Sequence, residues 1–330
     1  MTAEPRATDI PIDNHGKVGV LGAAALVTGG MIGAGYFLLP ATMAASGSIS
    51  ILGWLAATVA ALAVATVFAQ LGRAAPHATG LESYAEAGLG RFFGVLMTVT
   101  YWTSNWFGLV AVPLAVAGAV GFLVPELGGP QARLTLTLAS IWAAVAVSWL
   151  GPRAVARLEG LTLAVGLLPV MLAATFGWLA FHPSVFLESW NPQGLSPGAA
   201  VGASALSAFY AFLGVECAAA AAGVVRDPAR NVPRATLMGV AAAALLYIAS
   251  TAVLMGILPA TELARSNAPF ADAAQASFGL GLAGLIAACA ILRAQGCLTG
   301  FTLLASETTR GAADAGAFLR WFRTRPGERA

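Results

Sequence analysis

Ionic chemistry has few places to sit in this chain. From Val18 to Gly72 there is no Asp, Glu, Lys or Arg at all. Further along, a carboxylate, Glu216, and a guanidinium, Arg293, stand well inside apolar runs. An ionisable residue within such a run costs ~2.5–3.5 kcal/mol on insertion scales and marks a functional site by default. The chemistry open to Glu216 and Arg293 is ionic. They can hold a charged ligand, gate or couple a proton, or pair with each other, since opposite buried charges are cheaper together than apart. Arg293 can also act as a fixed cation that repels basic substrates, or be a product of sequence drift.

Bare backbone is the other reactive feature. Gly29, Gly30, Gly33 and Gly35 crowd the middle of the first apolar run, VGVLGAAALVTGGMIGAGYFLLP, residues 18–40. Each glycine costs ~1 kcal/mol in a helix interior relative to alanine. Such a cluster serves close helix packing, or a helix that opens so that N–H and C=O groups face a ligand. A second run, LSAFYAFLGVEC from Leu206, carries Gly214 beside Glu216 and also reads as interrupted. Other chemistries lack their parts. His15, His77 and His182 fall in the tail or in loops, and no carboxylate pair lies within the runs, which argues against an enzyme. Cys217, Cys289 and Cys297 show no metal-ligand spacing, so neither a metal nor a cofactor is expected. GGMIGAG has no strand before it, which removes a dinucleotide-binding reading.

The elements that position these groups follow from composition. Of 330 residues, 58% are hydrophobic and 10% charged, against about 25% charged in soluble domains. The chain reads as an all-α polytopic membrane protein. Eight apolar spans are expected, at 18–39, 51–72, 93–123, 134–150, 158–181, 198–222, 235–258 and 279–306. The third exceeds what a bilayer needs and should tilt or project. Residues 1–17 and 307–330 read as cytosolic tails flanking a transmembrane domain, 18–306. With the N-terminus inside, inner segments hold fourteen of the seventeen Lys and Arg residues, and outer loops hold Arg133 and Arg265. That asymmetry places both termini in the cytosol. Spans one and six are five apart and both glycine-interrupted. Transporters built from inverted five-helix repeats put their substrate at two broken helices in corresponding positions. A first repeat is therefore expected over 18–181 and an incomplete second over 198–306.

With those stretches in view, the sequence resembles the amino acid–polyamine–organocation superfamily, and within it the basic amino acid/polyamine antiporters. The resemblance is carried by GGMIGAGYFLLPATMAASG (29–47), TGLESYAEAGLGRFFG (79–94), YWTSNWFG (101–108), FYAFLGVE with AAGVVRDPARNVPRAT (209–236), and GCLTGFTLLASETTRGAADAG (296–316). It implies an inverted-repeat transporter fold of five plus five helices, with about eight spans present here. It implies a secondary active amino acid/amine transporter of the inner (plasma) membrane, with a small amino acid or amine as substrate. The bilayer is a partner, a homodimer is an allowed assembly, and nucleic acid is not involved.

Carried over residue by residue, the resemblance implies that the substrate carboxylate meets N–H groups of Gly33, Ala34 and Gly35. The ammonium meets carbonyls near Met31, Tyr210 and Leu213. Tyr210 covers the substrate from one side, Phe301 lines another, Tyr101 aligns with a pocket position, and Glu216 with a proton-linked gate. Four departures weigh against arginine specificity. Ala34 replaces a serine, Tyr210 and Phe301 replace tryptophans, Leu109 replaces an asparagine, and Arg293 replaces a small residue. The chain also ends after the eighth span, so the expectation includes a truncated, transport-incompetent remnant or membrane scaffold as the alternative.

Overall fold

The computed structural model describes residues 19–74, 81–215, 225–314, 316 and 318–323. Helices dominate these residues. The first apolar run forms α1 (Val20–Met31), a 3-10 turn (Ala34–Leu38) and α2 (Leu39–Ala44). After it come α3 (Ser50–Ala74), α4 (Leu81–Leu89), α5 (Arg91–Leu123), α6 (Pro130–Ser148), α7 (Pro152–Thr175) and α8 (Pro183–Glu188). The second half contains α9 (Pro197–Tyr210), α10 (Pro228–Ile257), α11 (Ala260–Leu263), α12 (Pro269–Phe278) and α13 (Leu280–Asp314). Proline opens α6, α7, α9, α10 and α12, where its missing N–H would have no helical partner and its fixed φ suits the first turn.

Each expected span overlaps a helix, and among the described residues some of these helices are long and apolar enough to cross a bilayer on their own. By length and apolarity five qualify, in α3, α5, α7 with its 3-10 extension to Ala180, α10 and α13. The first run makes a sixth if its two halves count as one span bent by 55°. The other two expected spans are shorter among the described residues. Helix α6 has 19 residues but opens on Pro-Gln-Ala-Arg, which shortens its apolar stretch. Helix α9 has 14 residues, about 21 Å at 1.5 Å per residue, against a ~30 Å hydrocarbon core. The rest of that expected span, 216–222, lies outside the described residues, as do the tails 1–17 and 324–330.

Two helix sets pack together. In one, α1 lies against α10, and α3 lies between α9 and α10. In the other, α13 lies against α5, α6 and α7. The larger core belongs mainly to the first set and includes Trp54, Phe212, Tyr247 and Met255. A smaller cluster of Val112, Val116, Ala144, Ala294, Cys297 and Leu298 joins α5, α6 and α13. Outward, Phe107, Leu161 and Leu179 are 71%, 70% and 81% exposed. So much apolar surface on a helical shell belongs in lipid, where backbone polar groups are satisfied inside each helix. Arginines gather at both ends. Arg133 and Arg265 line one cavity at one end, and Arg91 and Arg323 converge on Gly316 at the other.

Candidate functional site

The first apolar run does break. The N–H of Ile32 still reaches the Thr28 carbonyl at 3.0 Å, but its ψ of 69° leaves the helix. Gly33 is fully extended, with φ −86° and ψ −178°, and its N–H donates to the Met31 carbonyl at 2.8 Å. The chain then re-enters a 3-10 turn at Ala34, where Tyr36 N–H donates to Gly33 at 3.2 Å. The N–H groups of Ala34 and Gly35 open that turn, and the opening donors of a helix have no partner within it. Gly29 and Ile32 supply carbonyls on the other side of the gap. The break thus leaves main-chain donors on one side and main-chain acceptors on the other, as opened helices do where they meet charged groups.

The second break is built differently. α9 stops at Tyr210, and Ala211, Phe212, Leu213 and Val215 make a run of bonds to the residue three earlier. Gly214 has φ +106°, a conformation side chains rarely adopt. It also approaches the first break backbone to backbone. A Cβ on Gly214 would lie 3.1 Å from the carbonyl carbon and oxygen of Gly30 and 3.3 Å from Met31 N. The two interruptions therefore touch. Tyr210 reaches the same place, its ring 3.9 Å from where a Cβ on Gly35 would sit. Tyr210 and Leu213 are 55% and 50% exposed, so this side of the junction is open.

Helix α13 supplies the opposite wall. Cys297 Sγ lies 3.5 Å from a Cβ position on Gly33, and the Phe301 ring edge lies 3.6 Å from a Cβ position on Gly108 of α5. Arg293 is 2% exposed and reaches directly into the first break. Its Nε donates to the Ile32 carbonyl at 3.0 Å and its Nη2 to Gly29 at 3.2 Å. The expected pairing with Glu216 cannot be compared, because Glu216 lies outside the described residues. The partners of Arg293 are main-chain oxygens at the C-terminal end of α1, where the helix dipole also favours a cation.

Tyr247 of α10 plays the matching part at the second break. Its hydroxyl donates to the Ala211 carbonyl at 3.1 Å. Its ring stacks on Tyr36 at 4.3 Å, and the Tyr36 hydroxyl hydrogen-bonds Ser250. Trp54 and Phe212 meet Tyr247 from other sides. One tyrosine in a long apolar span was the sequence signal for this contact. Replacing Tyr247 with Phe keeps the stack and orphans a carbonyl at the end of α9. The expected cost is ~1–3 kcal/mol of stability, read as a lower melting temperature of the purified chain, with unchanged melting contradicting the contact.

The remaining candidates divide. Met31, Gly33, Ala34, Gly35, Tyr210, Leu213, Arg293 and Phe301 lie at or beside the two breaks. Tyr101 lies elsewhere along α5. It precedes Gly108 by seven residues, about 10 Å along the α5 axis, next to Trp102, whose indole N–H donates to Thr309 at 2.7 Å. Cys297, Tyr247 and Gly166 belong to the site's support and were not expected.

The comparisons fit this geometry. The amino acid permease family matches residues 18–328. The chain belongs to that family. It is 33% identical over 302 residues to a cadaverine/lysine antiporter of Escherichia coli strain K12, covering 92% of this chain and 68% of the antiporter. It is likewise 33% identical over 309 residues to the putrescine transporter PotE of that strain, covering 93% of this chain and 70% of PotE. The PotE of Haemophilus influenzae is 32% identical over 307 residues, covering 93% and 71%. The basic amino acid/polyamine antiporter resemblance therefore holds for 92% of the chain at family level. As an amino acid permease, this chain is a multi-pass membrane protein whose relatives move solutes and do not transform them.

Proposed function

We propose that this chain is a secondary active transporter of an amino acid or amine, binding its substrate where the two interrupted helices meet. The backbone approach of Gly214 to Gly30 and Met31 supports this reading most strongly. It brings the two interruptions to one point, with Tyr210 beside Gly35. Ala34 and Gly35 N–H groups hold the carboxylate, and carbonyls near Leu213 and Met31 hold the ammonium. The membrane is the cell's inner membrane, with both termini in the cytoplasm, as the fourteen inner basic residues favour. A homodimer is compatible with this arrangement.

Glu216 is assigned to proton linkage. A carboxyl that changes charge inside a span ties a proton to the conformational cycle. Uptake by the full chain in liposomes tests the proposal. Radiolabelled amino acids and diamines should enter against a preloaded counter-substrate or a pH gradient. Failure of every amino acid and amine to enter, from correctly folded protein, contradicts it and favours a scaffold. Replacing Glu216 with Gln should flatten the pH dependence of that uptake. An unchanged profile removes Glu216 from the coupling.

A further inference from the structure

Arg293 is a built feature of the site. Its side chain crosses α7 at Gly166, where a Cβ would lie 2.5 Å from its own Cβ and Cγ. Only a glycine leaves that passage open. Two charge-assisted hydrogen bonds then fix the guanidinium to Ile32 and Gly29. Its Nη1 is buried with no hydrogen-bond partner among the described residues. A buried donor left unpaired is costly, and a carboxylate is the acceptor that suits a guanidinium best. Among the described residues the ion pair within 4.0 Å is Arg310 with Glu307, so Arg293 has no carboxylate in contact there. Glu159 of α7, half-buried beside Gly300, interacts with Arg293 electrostatically from a longer distance.

We infer that Arg293 makes this site selective for a neutral amino acid, by supplying a counter-charge to the substrate carboxylate and rejecting diamines. The inference rests on the reading that the substrate sits at the two breaks. The guanidinium occupies carbonyls at the end of α1 that a ligand cation would otherwise use. It keeps its charge in proteins. At an effective dielectric near 20, a second unit charge about 7 Å away is disfavoured by roughly fifty-fold. A diamine carries two cationic ends and no anionic one, so it meets that repulsion with nothing to offset it. A zwitterion offers its carboxylate instead. A separate cavity carries the same excess sign. Its volume is about 300 Å³, and it is lined by Arg133 and Arg265, with Asp272 as the carboxylate present. Tyr210 and Leu213, exposed beside the second break, give the side-chain region an aromatic and an aliphatic surface, which suits an aliphatic substrate.

Calorimetry on the full chain in lipid nanodiscs tests this with L-leucine, L-leucine methyl ester and cadaverine. Leucine is expected to bind, and the ester and cadaverine to bind at least fifty-fold more weakly. Cadaverine or the ester binding as tightly as leucine overturns the selectivity and leaves the transport site standing. No binding of any probe by folded protein overturns both. Replacing Arg293 with Gln should narrow the leucine-to-cadaverine ratio at least tenfold, and Arg293→Lys should keep it. If Arg293→Gln does not fold, the ester and the lysine variant still decide. A lysine variant that accepts cadaverine like leucine contradicts a role for the charge.

Discussion

Replacing Gly214 with Val should abolish substrate binding. The valine faces two penalties at once. Its backbone must hold φ +106°, which costs of order 1–3 kcal/mol for a residue other than glycine. Its Cβ must also sit 3.1 Å from the Gly30 carbonyl, in a contact with main chain that cannot rotate away. Relief comes by driving the α9 break away from the α1 break. Overpacking of this kind adds typically 1–3 kcal/mol. Together these reach a hundredfold or more in binding, because the lost element is the junction of the two breaks. Calorimetric titration of the variant against the unmodified chain measures it. Gly202→Ala serves as a control, because a Cβ there meets open space. If the valine variant binds like the unmodified chain, the junction is not the site.

Loss of Arg293 ranks next. Arg293→Met keeps much of the stem's volume but strips the Gly29 and Ile32 carbonyls of their donors. Hydrogen bonds to a charged group contribute ~1.5–3 kcal/mol each, so the combined loss is about 3–6 kcal/mol. The melting temperature of the purified chain reports it. A second variant separates position from presence. Gly166→Ala leaves Arg293 in the chain but places a methyl 2.5 Å from its stem. It should reproduce most of the destabilisation, with closure or disorder of the Ile32–Gly33 gap. A neutral Gly166→Ala would mean that the guanidinium path has slack and is not set by that notch.

Much of this arrangement is legible from residue types alone. Gly29, Gly30, Gly33 and Gly35 announce an opened helix, and the opening falls at Ile32 and Gly33. Gly214 announces a second opening, and α9 ends four residues before it. What sequence cannot supply is partnership across the fold. The sequence offers Arg293 only Glu216 as a partner and hides its carbonyl acceptors until the helices are packed, because every residue type has a carbonyl. The contact needed the absence of a side chain at Gly166, on a helix more than a hundred residues earlier. Tyr247 and Cys297 stay hidden for the same reason. At α6 and α9 the described helices are shorter than the expected spans, because window reading sums apolarity and does not see where a polar first turn or a break shortens the rod.

Hydrogen–deuterium exchange over residues 29–38 and 209–215, in nanodiscs with and without L-leucine, tests the central claim most directly. The account predicts fast exchange at Ala34 and Gly35 in the empty protein, slowed when leucine binds. Exchange that is already helix-slow across Ile32–Gly35, or leucine binding that protects other segments and leaves these amides unchanged, would contradict it.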